Sequence, residues 1–323
     1  MFTVTKKNCM FLAHMGAQGS LGQAVYDMAK DGYDFFAVSA DLGVASGFSR
    51  FIRDFPENYV NVGIAEQNLI SIAAGISSED LPVIATSWGA FASYRCADQI
   101  RTFLGLMGCN VKIVGMGSGL AISRFGGSHY GIGDLALLRG IPGLTIVAPG
   151  DGIEIYYSVC EAMKAKGPVY IRLTGGDRLP IINSDLDYDF EIGKGNVLTE
   201  GEDVLIVGCG ILVYECLKAE RLLRERDISC TVVNMHTIKP LDSEAILGRL
   251  NHKLIVTVEE HNVMGGLGGG VAELLAGVSN KPPHMLMGIG DFVPLAGDYE
   301  YLLDVCGLSA VKIAKKIEGA LGK

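Results

Sequence analysis

Short apolar runs alternate along this chain with longer stretches whose apolar positions recur every three to four residues, and the alternation happens twice. In the first half, the runs at 35–39, 82–86, 111–115, 144–148 and 169–173 predict buried strands. Helices are predicted between them at 66–76, 91–106, 133–139 and 152–164. In the second half, strands are predicted at 204–208, 230–234, 254–258 and 285–287. The helices there are 213–226, 243–250, 268–276 and 310–321. Repeated β–α alternation predicts an α/β fold: two doubly wound domains with mostly parallel sheets. Between the halves, 179–195 carries Pro180, Asn183, Asp185, Asp187 and Asp189, follows Asp177, and has no helical period. It reads as an exposed linker, dividing the chain into domains 1–187 and 188–323.

Composition narrows the class. A hydrophobic content of 49% with 20% charged residues describes a globular protein, and a net charge of −9 argues against nucleic acid or an anionic membrane as partner. The eight cysteines are scattered, with no CxxC and no Cys/His cluster. Neither a metal site nor a disulfide framework is therefore expected, and the setting is a reduced, cytoplasmic one. The N-terminus lacks a basic segment followed by a clean apolar run, and no apolar stretch is long enough to span a membrane.

Candidate chemistry starts at Asn61-Val62-Gly63-Ile64-Ala65-Glu66-Gln67-Asn68, where an aromatic β-type run over 58–62 gives way to a helix. Leu69, Ile70, Ile72, Ala73 and Ile76 form its apolar stripe, so Glu66 enters at a junction partly withdrawn from water. A carboxylate there is costly unless paired or protonated, although a first-turn Glu also complements the helix dipole. Asp41 ends a predicted strand, at the edge where α/β sheets present ligands, and reads equally as a turn carboxylate. Trp88, Phe91 and Tyr94 recur at helical spacing, as a core stripe or a ring cage. His129 sits in the glycine-dense loop Gly126-Gly127-Ser128-His129-Tyr130-Gly131. Asp151, in Gly150-Asp151-Gly152, reads as a helix N-cap. Gly208-Cys209-Gly210 lacks the third glycine of a dinucleotide fingerprint, and Gly265-Gly266-Leu267-Gly268-Gly269-Gly270 reads as a close backbone approach.

The run Val62-Gly63-Ile64-Ala65-Glu66-Gln67-Asn68, with Ser39-Ala40-Asp41-Leu42 upstream, resembles the pyrimidine-binding domain of transketolases. The likeness is strongest to split transketolases, whose C-terminal half is a separate polypeptide, and extends from about residue 37 to residue 321. The resemblance implies that Glu66 hydrogen-bonds the N1′ nitrogen of the aminopyrimidine of thiamine diphosphate. A proton-sharing carboxyl there favours the ring tautomer able to accept a proton from the thiazolium carbon. It also implies that Phe91 stacks on the ring, with Trp88, Tyr94 and Asp41 close to it. His129 would polarise the substrate or exchange protons with it.

The family's Gly-Asp-Gly…Asn motif begins at Asp151 but lacks its end, because Asn183 falls in the linker. A partner, the N-terminal diphosphate-binding subunit, would then hold Mg²⁺ and the diphosphate, in an α2β2 assembly. The loop Ser123-Arg124-Phe125-Gly126-Gly127-Ser128-His129 departs from the family pattern, with Phe125 where an Asp normally contacts a sugar hydroxyl. Gly117 replaces a usual His, and Thr174-Gly175-Gly176 replaces a segment that often supplies an Arg. Arg124, Arg172 and Arg178 remain as candidate anion ligands, and the expected substrate is an atypical sugar or 2-oxo compound. The expected reaction transfers a ketol or acyl unit from a ketose or 2-oxo donor to an aldehyde. The rival readings are a 2-oxoacid dehydrogenase E1 β subunit, a deoxyxylulose-phosphate synthase fragment, and a non-catalytic regulatory or scaffold subunit.

Overall fold

The apolar runs assemble into two sheets in the computed structural model, which describes residues 2–175, 178–183 and 188–322. The first half supplies β1 (Phe36–Ser39), β2 (Tyr59–Asn61), β3 (Val83–Trp88), β4 (Val111–Met116), β5 (Thr145–Val147) and β6 (Val169–Arg172). The second half supplies β7 (Asn196–Thr199), β8 (Val204–Gly208), β9 (Cys230–Asn234), β10 (Thr237–Lys239), β11 (Leu254–Asn262) and β12 (His284–Ile289). The sheet orders are β10-β5-β6-β4-β3-β1-β2 and β12-β11-β8-β9-β7. All pairings are parallel except two at the edges, β10 on β5 and β7 on β9. Central strands are buried on both faces, which is why they read as continuous apolar runs rather than alternating ones.

One strand crosses between the halves. Thr237 and Lys239 pair antiparallel with Val147 and Ile146, so the second half completes the edge of the first sheet. The halves are also joined by a buried charge cluster. Arg172 Nε donates to both oxygens of Asp134 at 3.0 and 2.9 Å. Its Nη2 donates to the carbonyls of Gly131 and Glu260, each at 2.9 Å. The Glu260 carboxylate accepts from the Tyr299 hydroxyl and the Leu120 amide.

One element was not predicted, and one expectation changes. The helix Lys6–Lys30 is not visible in the sequence as a periodic stretch, because Gly16, Gly19 and Gly22 interrupt it. Gly16 has φ +72°, which kinks the helix, and a Cβ on Gly22 would strike the Gly47 carbonyl. The linker is not simply exposed: Leu179, Asn183 and Phe190 are buried. Asn183 Nδ2 and the Tyr188 hydroxyl donate to Glu154, at 3.0 and 2.6 Å, so these polar residues serve a buried carboxylate. Gly176, Asp177, Asp185 and Asp187 lie outside the described residues.

The glycine-rich places prove to be packing features. Asp151 caps the helix Gly152–Lys164, accepting from the Glu154 amide at 3.0 Å. Leu267 and Gly268 donate their amides to Glu259, and a Cβ on Gly266 would overlap that carboxylate. Gly210 lies against Thr174 Oγ1. All eight cysteines are free thiols.

Candidate active site

Glu66 opens the helix Glu66–Ser77, and the turn before it fixes its place. Gly63 takes φ +73°, and the Asn61 side-chain carbonyl accepts from the Gly63 and Asp41 amides, both at 3.0 Å. Asn61 Nδ2 in turn donates to Asp41 Oδ1 at 3.2 Å. Asp41 is exposed, holds φ +59°, and stands where β1 and β2 end. Positive φ in a non-glycine residue is a strained conformation, here supported by this reciprocal pair. Leu69, Ile70, Ala73 and Ala74 anchor the helix in the core, each buried Leu or Ile contributing about 1.5–3 kcal/mol.

The Glu66 side chain is 4% exposed, yet it is not alone. Arg95 Nη1 donates to its Oε2 at 2.7 Å, and the arginine side chain is 46% exposed. The same guanidinium lies 4.2 Å from the centroid of the Phe91 ring. Phe91 also meets His129 edge-on at 5.2 Å, and His129 meets Phe125 at 5.1 Å. Ser128 Oγ lies 2.9 Å from His129 Nδ1. A continuous row therefore runs Glu66, Arg95, Phe91, His129, Phe125, beyond the ends of parallel strands, where such folds bind ligands.

The aromatic stripe does not form. Trp88 is the last residue of β3, and the following stretch is wound as a π-helix over Phe91–Arg95 and again over Ile100–Leu106. The wider π turn breaks the three-residue register and aims Tyr94 elsewhere. Tyr94 packs on Gly133 and lines a cleft of about 720 Å³ with Met264, Phe292 and Val293. Trp88 lines a separate cleft of about 550 Å³ with Gly117, Arg124, Phe125 and Arg178. A Cβ on Gly117 would strike Ile122, with Trp88 close behind, so a histidine there would not fit beside them. Arg172 is not an anion ligand: it is fully buried and committed to Asp134. Arg124 is exposed and pairs with Asp298 of the second half at 2.8 Å. Arg178 is exposed in the same cleft as Trp88 and stays a candidate anion ligand.

Arg95 is the residue that sequence reasoning missed. Its only signal is its position four residues after Phe91, the spacing at which helical side chains meet.

Glu260, behind the His129 loop, yields a pH prediction. Burial lifts its carboxyl from 4.5 to about 7, against the hydrogen bonds from Tyr299 and Leu120. The folded-state value lies above the unfolded one, so the folded chain holds this proton more tightly. That stabilisation is complete below about pH 4.5 and is lost as pH rises to about 7. Glu260→Gln stays neutral throughout. The melting temperature of wild type relative to this variant should fall from pH 5 to about pH 7.5. A difference that does not change with pH would contradict this assignment.

The row thus sets one buried carboxylate and one aromatic ring on a single guanidinium near the ends of a parallel sheet. Residues 15–177 match the family described as transketolase, pyrimidine binding domain, and residues 193–313 match transketolase, C-terminal domain. The chain is 37% identical to a 6-deoxy-6-sulfo-D-fructose transketolase subunit of Clostridium sp. (strain MSTE9), over 86% of each sequence. It is 35% identical to an apulose-4-phosphate transketolase subunit of Actinobacillus succinogenes, over 88% of this chain and 91% of that one. A solved structure described as a split gene transketolase, inactive beta4 tetramer, superposes with TM-score 0.85 at 34% identity. That likeness covers 95% of this chain and 98% of the other. The chain belongs to the transketolase family, as the pyrimidine-binding subunit of a split transketolase-like enzyme. These relatives do not favour the dehydrogenase or scaffold readings.

Proposed function

We propose that this chain holds the aminopyrimidine of thiamine diphosphate between Glu66 and Phe91 and works only with an N-terminal diphosphate-binding partner, as α2β2. The observation that carries the reading is a buried carboxylate at a helix start, joined through the Arg95 guanidinium to an aromatic ring that in turn meets His129. The donor set fits the group: a carboxyl for a ring nitrogen and an aromatic face for stacking. When bound, the cofactor supplies the nucleophilic carbon and electron sink for breaking and forming a C–C bond. Glu66 orients the ring and shares a proton with it. Phe91 fixes the ring plane. His129, steadied by Phe91, Phe125 and Ser128, holds or moves a proton at the substrate oxygen.

Mg²⁺ and the diphosphate fall to the partner in this reading. Asp151 serves as a helix cap, and among the described residues no three His, Cys, Asp or Glu side chains converge as a metal site. The division between the two domains lies at 187/188.

The substrate is a ketose or 2-oxo donor with an aldehyde acceptor, and it is not a simple pentose phosphate. Phe125 is 65% exposed beside His129 and supplies no hydrogen-bond acceptor for a sugar hydroxyl, while Arg124 pairs at the surface with Asp298. The names of the two relatives, on a sulfonated sugar and on apulose 4-phosphate, agree with a substrate of this atypical kind. No helix of the described residues is long and apolar enough to cross a membrane. The cytoplasmic setting belongs to this proposal and is supported by eight cysteines that are all free thiols. Steady-state assay of the reconstituted enzyme tests the substrate reading. Slow turnover of xylulose 5-phosphate beside faster turnover of a modified ketose is expected, and efficient turnover of xylulose 5-phosphate would refute it.

A further inference from the structure

Arg95 meets, within one side chain, both demands that the proposed function places on the cofactor ring. Its guanidinium covers the Phe91 ring at 4.2 Å and donates to Glu66 Oε2 at 2.7 Å. A guanidinium is flat and delocalised, so it stacks by a face and donates N–H groups from its edge. An aminopyrimidine is also flat, stacks by a face, and meets a carboxyl through nitrogens at its edge. The two groups compete for one aromatic face and one carboxylate.

The burial of the partners gives this competition a direction. Glu66 is 4% exposed, so leaving its carboxylate with no partner is costly. Arg95 is 46% exposed, so its head group is half hydrated already and its flexible stem can carry it outward. Departure of the arginine is cheap if another group takes over Glu66, and costly otherwise. Phe91 and Arg95 stand four residues apart on one helical stretch, a spacing at which side chains meet.

We propose that Arg95 is an internal stand-in for the pyrimidine ring. It occupies Phe91 and Glu66 in the free chain and swings into solvent when the cofactor enters. The inference rests on the cofactor site assigned above. It makes Arg95 a gate on cofactor affinity, because only the fraction of chains with Arg95 outward is competent to bind.

The test is a calorimetric titration of thiamine diphosphate with Mg²⁺ into the chain assembled with its partner subunit, for wild type, Arg95→Ala, Arg95→Lys and Glu66→Gln. Arg95→Ala should bind about tenfold more tightly than wild type. Arg95→Lys keeps the charge but not the flat face, and should fall between them. The cofactor-free Arg95→Ala chain should also melt below wild type, with the difference closing on loading. Unchanged or weaker affinity in Arg95→Ala, while wild type binds and Glu66→Gln binds poorly, overturns the stand-in and leaves the cofactor site intact. If Arg95→Ala does not fold, affinity of Arg95→Lys equal to or below wild type has the same force. Wild type binding no cofactor at all sinks both readings.

Discussion

Glu66→Gln in the reconstituted enzyme should lower kcat by about a hundred- to ten-thousandfold, the range that removal of a positioned acid–base group produces. Glutamine keeps the size of the side chain and its hydrogen bonding, but it cannot share a proton with a ring nitrogen. The folded chain should tolerate the change. The variant removes a buried charge, and its former partner Arg95 is 46% exposed and can be hydrated. A melting temperature close to wild type together with a collapsed kcat therefore separates chemistry from folding. Glu66→Asp should recover part of the activity, since it restores the carboxyl about one methylene short. Full activity in Glu66→Gln would remove the catalytic role.

The second large effect concerns stability. Asp134→Ala or Arg172→Met should each cost about 3–5 kcal/mol of unfolding free energy, because each leaves a buried charge without its partner. Arg172 is 1% exposed and Asp134 is fully buried, and the pair is 2.9 Å apart. The Tyr170 hydroxyl also donates to Asp134 at 2.8 Å, so the loss of Asp134 strands a second buried donor. The double variant Asp134→Leu/Arg172→Met should recover much of the loss, since an apolar pair carries no desolvation cost. Denaturant unfolding of the three variants checks this. Additive losses in the double variant would contradict it. Arg172 Nη2 also holds the Gly131 carbonyl, two residues from His129, so Arg172→Met should raise KM in the reconstituted enzyme as the loop loosens.

How much of this was legible in the sequence differs by element. The strand cores at 111–115, 204–208 and 230–234 were readable because parallel strands covered on both faces must be apolar throughout. β7 and β10 were not, since each is an edge strand of three or four residues whose partner is far away in sequence. The first helix was hidden by glycines present for packing, as Gly22 against the Gly47 carbonyl shows. At the proposed site, Glu66, Phe91 and His129 stood out by their motifs, and the geometry links them in one row through Arg95. Tyr94 lies against Gly133 and lines a different cleft, because a period of 3.6 does not hold through a π turn. Arg172 looked like an available cation because nothing in the sequence marks Asp134, 38 residues earlier, as its partner.

Arg95 matters most among the missed residues, because it turns a lone carboxylate into an occupied one. A reading based on Glu66 alone treats the site as a vacant acceptor. Under the proposed exchange, the ion pair ties the affinity of the site to a residue that never touches the reacting atoms.

The most direct measurement is calorimetric titration of thiamine diphosphate and Mg²⁺ into wild-type chain assembled with its partner subunit, repeated with Phe91→Ala. One site per chain, clearly weakened in Phe91→Ala, is the expected result. Binding that is indifferent to Phe91, or no binding in the assembled complex, would contradict a pyrimidine site at Glu66.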